Sequence, residues 1–430
     1  MRQLRTSVRC WLALLLFFAS GVTLAESYVV VCYNWGCQQQ VAVSYPDAWL
    51  KKTLAPLYKA KNPEDERAAA AEIVRKFYVK AAEQTPIAAD EPGNDEDDTI
   101  VEQAGDVGRN IVLASRLPNS IPSVSIDRQC GSSQQSMMFA AQGVMSGTQD
   151  IVLAAGIESM TRVPMGSTSM LFKKEGMGTY KSPRLEEAYP GIMFSQFMGA
   201  EMLVKKHGFT REDLDQFALE SHQKAIAATQ SGAFANEIVG IEVDTPEGKI
   251  IHNSDEGIRY DATFESLSGV KLLQEGGSIT AANASQICDG ASAVLIVSEK
   301  ALKEHGLTPR ARIVNLTVTA GDPVIMLEEP LFATDRAFQR SGMKMSDIDL
   351  YEVNEAFAPV PLAWLKHTGG DRSKINVHGG AIALGHPLGA SGTKLMATLL
   401  NALEARGGKY GLQTMCEGGG QANVTIIERV

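Results

Sequence analysis

The chain carries one local layout twice: a short strand, a turn, a helix and a second strand. The first copy begins with the β-branched run SIPSVSIDRQ, continues with CGSSQQSMMFAAQGVMSG at helical spacing, and ends with the apolar run DIVLAAGIESM. The second copy consists of the strand KINVHGG, the helix GASGTKLMATLLNALEARGG and the strand KYGLQTMC. Strands joined in this way form parallel sheets that need helices over both faces. The sequence therefore predicts an α/β fold with an internal duplication and a site between its halves.

Each copy also contains a cysteine beside glycine. Cys130 lies between the first strand and its helix, where the partial positive charge of the helix N-terminus lowers the pKa of a thiol and suits a nucleophile. A cysteine before a helix is, however, often a small inert apolar residue. Cys416 ends the last strand and begins the segment CEGGG. The glycines of this segment, including Gly418, let backbone N–H groups approach a ligand closely.

Composition restricts the classes of protein. A chain of 430 residues that is 44% hydrophobic and 21% charged can bury a large core, which excludes global disorder and a polytopic membrane protein. The net charge of −10 argues against nucleic acid and anionic membrane surfaces as partners. The six cysteines are too dispersed for a disulfide framework and lack the spacing of a zinc site. We expect free thiols and no structural metal.

The first 98 residues differ from the rest. Residues 1–25 combine three arginines, an apolar run and a small-residue cleavage site at Ala25, which is typical of a signal peptide; a buried N-terminal helix is the alternative. The apolar run is too short for a membrane span. Residues 26–98 contain a strand-like run, YVVVCYNWGC, an alanine-rich helical stretch and the acidic linker ADEPGNDEDDT. We place a boundary near Asp98.

Four later segments resemble, in order and spacing, the signature segments of thiolases. They are RQCGSSQQ around Cys130, NEAFA at Asn354–Ala358, GGAIALGHPLGASG at Gly379–Gly392 and CEGGGQAN at Cys416–Asn423. The resemblance covers about residues 99–430. It implies a duplicated α/β/α/β/α layered fold.

The resemblance also divides the chain. Residues 99–298 would form the N-terminal half, including a loop domain at about 164–278 that covers the cofactor, and residues 299–430 the C-terminal half. Nothing in residues 27–98 resembles the strands with which the family opens. We therefore expect an incomplete N-terminal half, in which a strand without its neighbour leaves unpaired backbone groups.

The activity implied by the resemblance is that of an acetyl-CoA C-acyltransferase. Such an enzyme cleaves a 3-ketoacyl-CoA with coenzyme A, or runs the reverse Claisen condensation, through an acyl-enzyme. Cys130 matches the family's nucleophile and Cys416 its second cysteine, the catalytic base. A ketoacyl synthase shares the fold but has no cysteine at the position of Cys416. Coenzyme A and acyl-CoA are expected as substrates, with no permanently bound cofactor.

The remaining site residues also follow from the resemblance. His386 matches the histidine that activates the nucleophile and donates to one oxyanion hole, and Asn354 the residue that holds a water there, although it could also cap a helix. The backbone N–H groups of Cys130 and Gly418 match a second hole. Ser285 matches a serine that touches the pantetheine arm, and a plain turn serine is the alternative.

Some residues receive no role. The charged residues of the loop domain include Lys205, but a charged helix face is usually only solvated. His378 and Cys288 are interpreted as structural. Biosynthetic members often carry a histidine at the position of Phe197, next to Met198, so chain-length preference stays open.

Two signals conflict over location. Free-thiol chemistry indicates a reducing, cytoplasmic compartment, whereas the N-terminus predicts export. The family implies a homodimer or homotetramer. The alternative to an active enzyme is a catalytically impaired thiolase-like fusion or exported chimera.

Overall fold

In the computed structural model of the chain, residues 27–35, 41–44 and 106–430 are described, except residues 116, 177, 179, 180 and 247. The predicted signal peptide and acidic linker lie outside these ranges. Within them, no helix is both long and apolar enough to cross a membrane.

The strands form one long sheet and one separate hairpin. Their bounds are β1 (Ser27–Trp35), β2 (Val41–Ser44), β3 (Ser123–Val124), β4 (Ile151–Ser159), β5 (Ile241–Thr245), β6 (Gly248–His252), β7 (Asp289–Ser298), β8 (Ala311–Ala320), β9 (Leu350–Val353), β10 (Tyr410–Glu417) and β11 (Gln421–Arg429). The nine-stranded sheet has the order β3-β2-β4-β7-β1-β8-β11-β10-β9, and β5 pairs only with β6.

The helices of the described ranges pack on this sheet or lie in its long connections. Their bounds are α1 (Val107–Ala114), α2 (Ser132–Met145), α3 (Ser167–Lys174), α4 (Pro183–Ala188), α5 (Gln196–His207), α6 (Arg211–Gln230), α7 (Phe264–Ser268), α8 (Glu299–His305), α9 (Glu329–Ser341), α10 (Pro359–Thr368), α11 (Ala381–Leu384) and α12 (Ser391–Arg406). The interval between β4 and β7 carries α3 to α7 and the β5–β6 hairpin, and it contains the predicted loop domain.

The first predicted layout is confirmed. β3 leads through a short 3₁₀ turn at Gln129–Gly131 into α2, and β4 follows. Both β3 and β4 are antiparallel to β2, which lies between them, so they run parallel to each other. Cys130 therefore lies at the start of a helix, as expected.

The second layout differs in its first strand. Helix α12 and strand β10 lie where the sequence predicts them, but the strand predicted at KINVHGG is wrong. This segment makes only isolated bridges, from Ile375 to Tyr351 and from Val377 to Gly379, and the strand parallel to β10 is β9. The reason is Asn376, whose backbone has a φ of 44° and whose side-chain amide bonds both the N–H and the carbonyl of Val353 at 2.9 Å. The side chain thus satisfies backbone groups that a neighbouring strand would otherwise pair.

The N-terminal strands complete the sheet. β1, which covers most of the predicted strand-like run, pairs antiparallel with β7 and with β8. Strand β1 lies next to β7 in the same way that β8 lies next to β11. The strand order β4-β7-β1 in one half therefore corresponds to the order β10-β11-β8 in the other. β4 is hydrogen-bonded on both edges, by β2 and β7, and the expectation of unpaired backbone groups on this strand is wrong. The halves still differ, because β2 is antiparallel to β4 whereas β9 is parallel to β10.

The two duplicated helices meet near the middle of the molecule. Gly392 in the first turn of α12 faces the backbone of Gln134 in α2, and a Cβ on this glycine would lie 2.0 Å from the Gln134 nitrogen. Only glycine allows this approach. The contact brings the start of α2, and with it Cys130, close to the glycine loop that precedes α12.

Candidate active site

A cleft of about 840 Å³ opens where β10 ends and α2 begins. Cys130, Cys416 and Gly418 all line it. Both cysteines are free thiols, and they are only 8% and 1% exposed. The structure thus brings together the two cysteines and the glycine turn that the sequence singled out.

The turn at Cys130 is held by its neighbours. Gln129 has a φ of 51°, which is unusual for a residue other than glycine. Its side chain packs against Gly418, where a Cβ would lie 3.0 Å from the Gln129 Cγ. The backbone N–H groups of Cys130 and Gly418 interact favourably with the Cys130 thiolate and lower its pKa. These are the two N–H groups that the sequence assigned to an oxyanion hole.

Burial nevertheless dominates the ionisation of both thiols. It raises the pKa of Cys130 to about 12, and the negative charge of Glu417 raises it further. Burial also raises the pKa of Cys416 well above its usual value, followed by repulsion from Cys130. The expectation that the helix terminus yields a low-pKa thiolate is wrong, because desolvation raises the pKa of Cys130 more than the N–H groups lower it. The resting thiols are neutral and need a base.

His386 lies in the glycine loop with both ring nitrogens occupied. Its Nδ1 is 2.6 Å from the Ser391 Oγ, and that hydroxyl donates to the Pro387 carbonyl at 2.9 Å. The ring therefore carries its proton on Nδ1, and Nε2 accepts from the Asn354 amide at 3.2 Å. Burial, followed by Lys394, lowers the pKa of His386 to about 3. The imidazole is neutral, with its basic lone pair on Nε2.

Asn354 is placed by the sheet rather than by a helix. Its N–H donates to the Thr414 carbonyl at 3.1 Å, and α10 begins only at Pro359 with Ala358 at its N-cap. The helix-cap alternative is therefore wrong. His386 and Asn354 are both buried and do not line the cleft, although their near neighbours in sequence, Leu388 and Ala356, do.

A buried carboxylate fixes the glycine loop against the NEAFA segment. Glu355 accepts hydrogen bonds from Ser221 at 2.6 Å, Asn376 at 2.8 Å and the Ile382 N–H at 3.1 Å. A Cβ on Gly380 would lie 2.3 Å from the Glu355 carboxyl carbon. This network holds the loop that carries His386. Sequence reasoning missed it, although Glu355 and Gly380 both lie in motifs that it quoted.

A second buried carboxylate lies between the cysteine segments, and it was also missed. Glu417 has a fully buried side chain, and its Oε2 is 2.8 Å from the Nε of Arg128. Burial raises the pKa of Glu417 to about 8, and Arg128 opposes that rise. A Cβ on Gly131 would lie 2.0 Å from the Glu417 Oε1. The sequence signal that could have revealed this pair is the charged residue near each cysteine: Arg128 two residues before Cys130, and Glu417 directly after Cys416.

Ser285 lies close to the site but outside the cleft lining. Its N–H donates to the Ala356 carbonyl at 3.0 Å, and the residue is half-buried. Phe197 packs edge-on against Phe357, with ring centroids 5.4 Å apart, and it is exposed like Met198. An assignment of Ser285 to the pantetheine arm stays a prediction.

Several charged residues of the predicted loop domain have structural partners. Lys206 pairs with Glu328 at 2.7 Å, Arg211 with Asp215 at 2.6 Å, and Lys224 donates to the Ile375 carbonyl at 3.0 Å. His378 packs edge-on against Phe234, with ring centroids 5.8 Å apart, and burial raises the pKa of Cys288 to about 12.

Comparison with known proteins agrees with this geometry. Residues 98–300 match the family model "Thiolase, N-terminal domain", and residues 307–429 match "Thiolase, C-terminal domain". The chain is 48% identical over 335 residues to the steroid 3-ketoacyl-CoA thiolase FadA6 of Mycobacterium tuberculosis, which covers 77% of this chain and 81% of the relative. It is 42% identical over 336 residues to a 3-ketoacyl-CoA thiolase of Photorhabdus laumondii, covering 77% and 84% respectively.

Solved structures give the same result. Human mitochondrial 3-ketoacyl-CoA thiolase superimposes with a TM-score of 0.71 at 33% identity, covering 95% of this chain and all (100%) of that one. The same human enzyme in complex with CoA gives a TM-score of 0.70 at 32% identity, covering 94% and 98%. The matches confirm the expectation from the sequence motifs: the chain belongs to the thiolase family.

Proposed function

We propose that this chain is an acetyl-CoA C-acyltransferase that cleaves a 3-ketoacyl-CoA with coenzyme A. The observation that carries the proposal is the pair of free, buried cysteines, Cys130 and Cys416, lining one cleft with the Gly418 turn. One sulfur can hold an acyl group while the other moves a proton.

The first half-reaction transfers the acyl group to the enzyme. The Cys130 sulfur attacks the C3 carbonyl of the substrate and gives its proton to His386. The C2–C3 bond breaks, and the electron pair left on C2 takes a proton from Cys416, which releases acetyl-CoA. The products are an acyl thioester on Cys130 and a thiolate on Cys416.

The second half-reaction restores the enzyme. The Cys416 thiolate takes the proton of the coenzyme A thiol, whose sulfur attacks the acyl thioester. The shortened acyl-CoA leaves, and Cys130 recovers its proton from His386. Each attack places negative charge on an oxygen, and the N–H groups of Cys130 and Gly418, which lower the pKa of the Cys130 thiol, are suited to stabilise that charge. Asn354, whose buried Oδ1 has no hydrogen-bond partner among the described residues, is suited to hold a water at the other hole.

We further propose a bulky apolar acyl group as the natural substrate. Apolar side chains, including Phe194, Met326 and Leu327, form part of the cleft lining. A relative at 48% identity is named a steroid 3-ketoacyl-CoA thiolase. A comparison of kcat/KM for acetoacetyl-CoA, a long-chain 3-ketoacyl-CoA and a fused-ring 3-ketoacyl-CoA tests this; a preference for acetoacetyl-CoA would contradict it.

The activity is tested by acylation. The purified chain is mixed with acetoacetyl-CoA without free coenzyme A, digested and analysed by mass spectrometry. We expect an acetyl adduct on Cys130 that is absent from Cys130→Ser and disappears when coenzyme A is added. A folded protein with neither adduct nor thiolysis would instead support the impaired thiolase-like chain.

We propose a reducing compartment and a homo-oligomer. Two free catalytic thiols support the first. The short outer strand β3, in which Val124 is 56% exposed, supports a second copy at that edge. The N-terminus of the protein made in its own cell and its mass by light scattering test the two points, and a secreted or monomeric product would contradict them.

A further inference from the structure

The Glu417 carboxylate occupies an unusual position. It directly follows Cys416, has 0% side-chain exposure, and lies against Gly131, the residue after Cys130. Neither carboxylate oxygen accepts a hydrogen bond from the described residues. A buried carboxylate without hydrogen bonds is costly, and it persists only where another charge compensates it or where function needs it.

One cation compensates this carboxylate. The Nε of Arg128 lies 2.8 Å from Glu417 Oε2, although its N–H is not aimed well enough to count as a hydrogen bond. Arg128 precedes Cys130 by two residues and lines the cleft. The ion pair therefore joins the cysteine turn to the glycine turn, the two segments that supply the N–H groups beside the Cys130 sulfur.

The charges around Cys130 are mostly negative. From β10 it faces Glu417 and the second thiol, Cys416, and from β4 it faces Glu158. Glu158 is itself repelled by Asp127 and accepts from the Gly389 N–H at 3.0 Å. His386 is neutral. Among the described residues that line the cleft, Arg128 is the cation that can offset negative charge as a thiolate forms.

We propose that Arg128 and Glu417 form a positioning ion pair, which aligns the Cys130 turn with the Gly418 turn and governs how readily Cys130 becomes a thiolate. The role of this ion pair in turnover rests on the proposed function. The prediction about the thiol does not depend on turnover. Removing Arg128 takes away a cation that favours the thiolate, whereas removing Glu417 leaves that cation without its opposing carboxylate.

The test is the rate at which uncharged iodoacetamide alkylates Cys130, followed by mass spectrometry from pH 7 to pH 10. The alkylation rate is proportional to the thiolate fraction. A shift of one unit in the pKa of Cys130 therefore changes the rate about tenfold. We expect Arg128→Gln to slow alkylation below pH 8, where Glu417 is protonated, and Glu417→Gln to accelerate it above pH 8, each by roughly tenfold. Above pH 8 the double variant stays within a few fold of the wild type.

A matched control separates this effect from loss of stability. Arg211 and Asp215 form an ion pair with side-chain exposures of 22% and 0%, close to the 21% and 0% of Arg128 and Glu417. Arg211→Gln should lower the melting temperature without changing alkylation of Cys130. The proposal is overturned if Arg128→Gln and Glu417→Gln shift the rate in the same direction, or if neither shifts it by more than about twofold. Because alkylation needs no substrate, a chain without thiolase activity still gives the answer.

Discussion

The His386 side chain shows how single residues set the chemistry. Its Nδ1 donates to Ser391, which fixes the tautomer, and its Nε2 lone pair meets Asn354. Burial keeps the ring neutral. The proposed acceptor of the Cys130 proton is therefore oriented by hydrogen bonds, and its pKa lies well below neutral pH.

Ser391→Ala should lower kcat by roughly ten- to a hundred-fold, since outer partners that orient a histidine typically contribute that much. The Pro387 carbonyl contact is also lost, but the small residue fits the same space. Steady-state thiolysis with acetoacetyl-CoA measures the effect. An unchanged kcat would contradict the tautomer assignment, and Ser373→Ala on the exposed Asp371 turn is the control.

Glu417 should also appear in the pH profile of Cys130. Its pKa is raised to about 8, so the carboxyl is neutral below that pH and charged above it. Its charge opposes the thiolate, so the logarithm of the alkylation rate should rise with pH, flatten near pH 8, and rise again. Glu417→Gln should give a straight rise through the same range; a flattening that persists in this variant would assign it to another group.

At the scale of elements, the α2–α12 contact holds the site together. Gly392→Ala would place a methyl group 2.0 Å from the Gln134 nitrogen and force the helices apart. We expect a loss of about 1–3 kcal/mol in the free energy of unfolding, as for overpacked cores, and a lower acylation rate. Urea denaturation measures the first. Gly269→Ala is the control, because its nearest contact would be 3.3 Å, and equal losses in both variants would contradict the argument.

The elements also show what could be read from the sequence. The Cys130 turn, α12 and β10 follow from patterns within a few residues. The strand predicted at KINVHGG fails because Asn376 acts through a side-chain bond to Val353, a contact distant in sequence. The Arg128–Glu417 pair and the neutral thiols depend on burial, which local patterns do not reveal. Family resemblance supplied the roles of His386 and Asn354, and the structure supplied their hydrogen bonds.

For the whole molecule, buried carboxylates make stability depend on pH. Burial raises the pKa of Glu237 to about 7 and that of Glu417 to about 8. A carboxyl with a raised folded pKa stabilises the fold fully below its unfolded pKa, and this contribution is lost as the pH rises through the folded value. The free energy of unfolding should therefore be lower at pH 8.5 than at pH 6, by on the order of a few kcal/mol.

Urea denaturation at the two pH values checks this prediction. Glu237 accepts from Thr398 at 3.2 Å and from Asn401 at 2.8 Å, so it joins the segment before β5 to α12. Glu237→Gln keeps a hydrogen-bonding side chain without the titration, and it should reduce the difference between pH 6 and pH 8.5. A larger free energy of unfolding at pH 8.5 than at pH 6 in the wild type would contradict the predicted direction of the pH dependence.

The place of β1 in the sheet has a consequence for how the protein is made. Ser27 pairs with Ser298, and Val29 with Ala311, so a strand that leaves the ribosome early finds its partners only when most of the chain has followed. At ~5–20 residues per second the interval is on the order of tens of seconds. During synthesis this apolar segment stays unpaired, and pairings of such long range form slowly. A chaperone that shields the nascent N-terminus would therefore raise the yield of folded enzyme more than one acting on the finished chain.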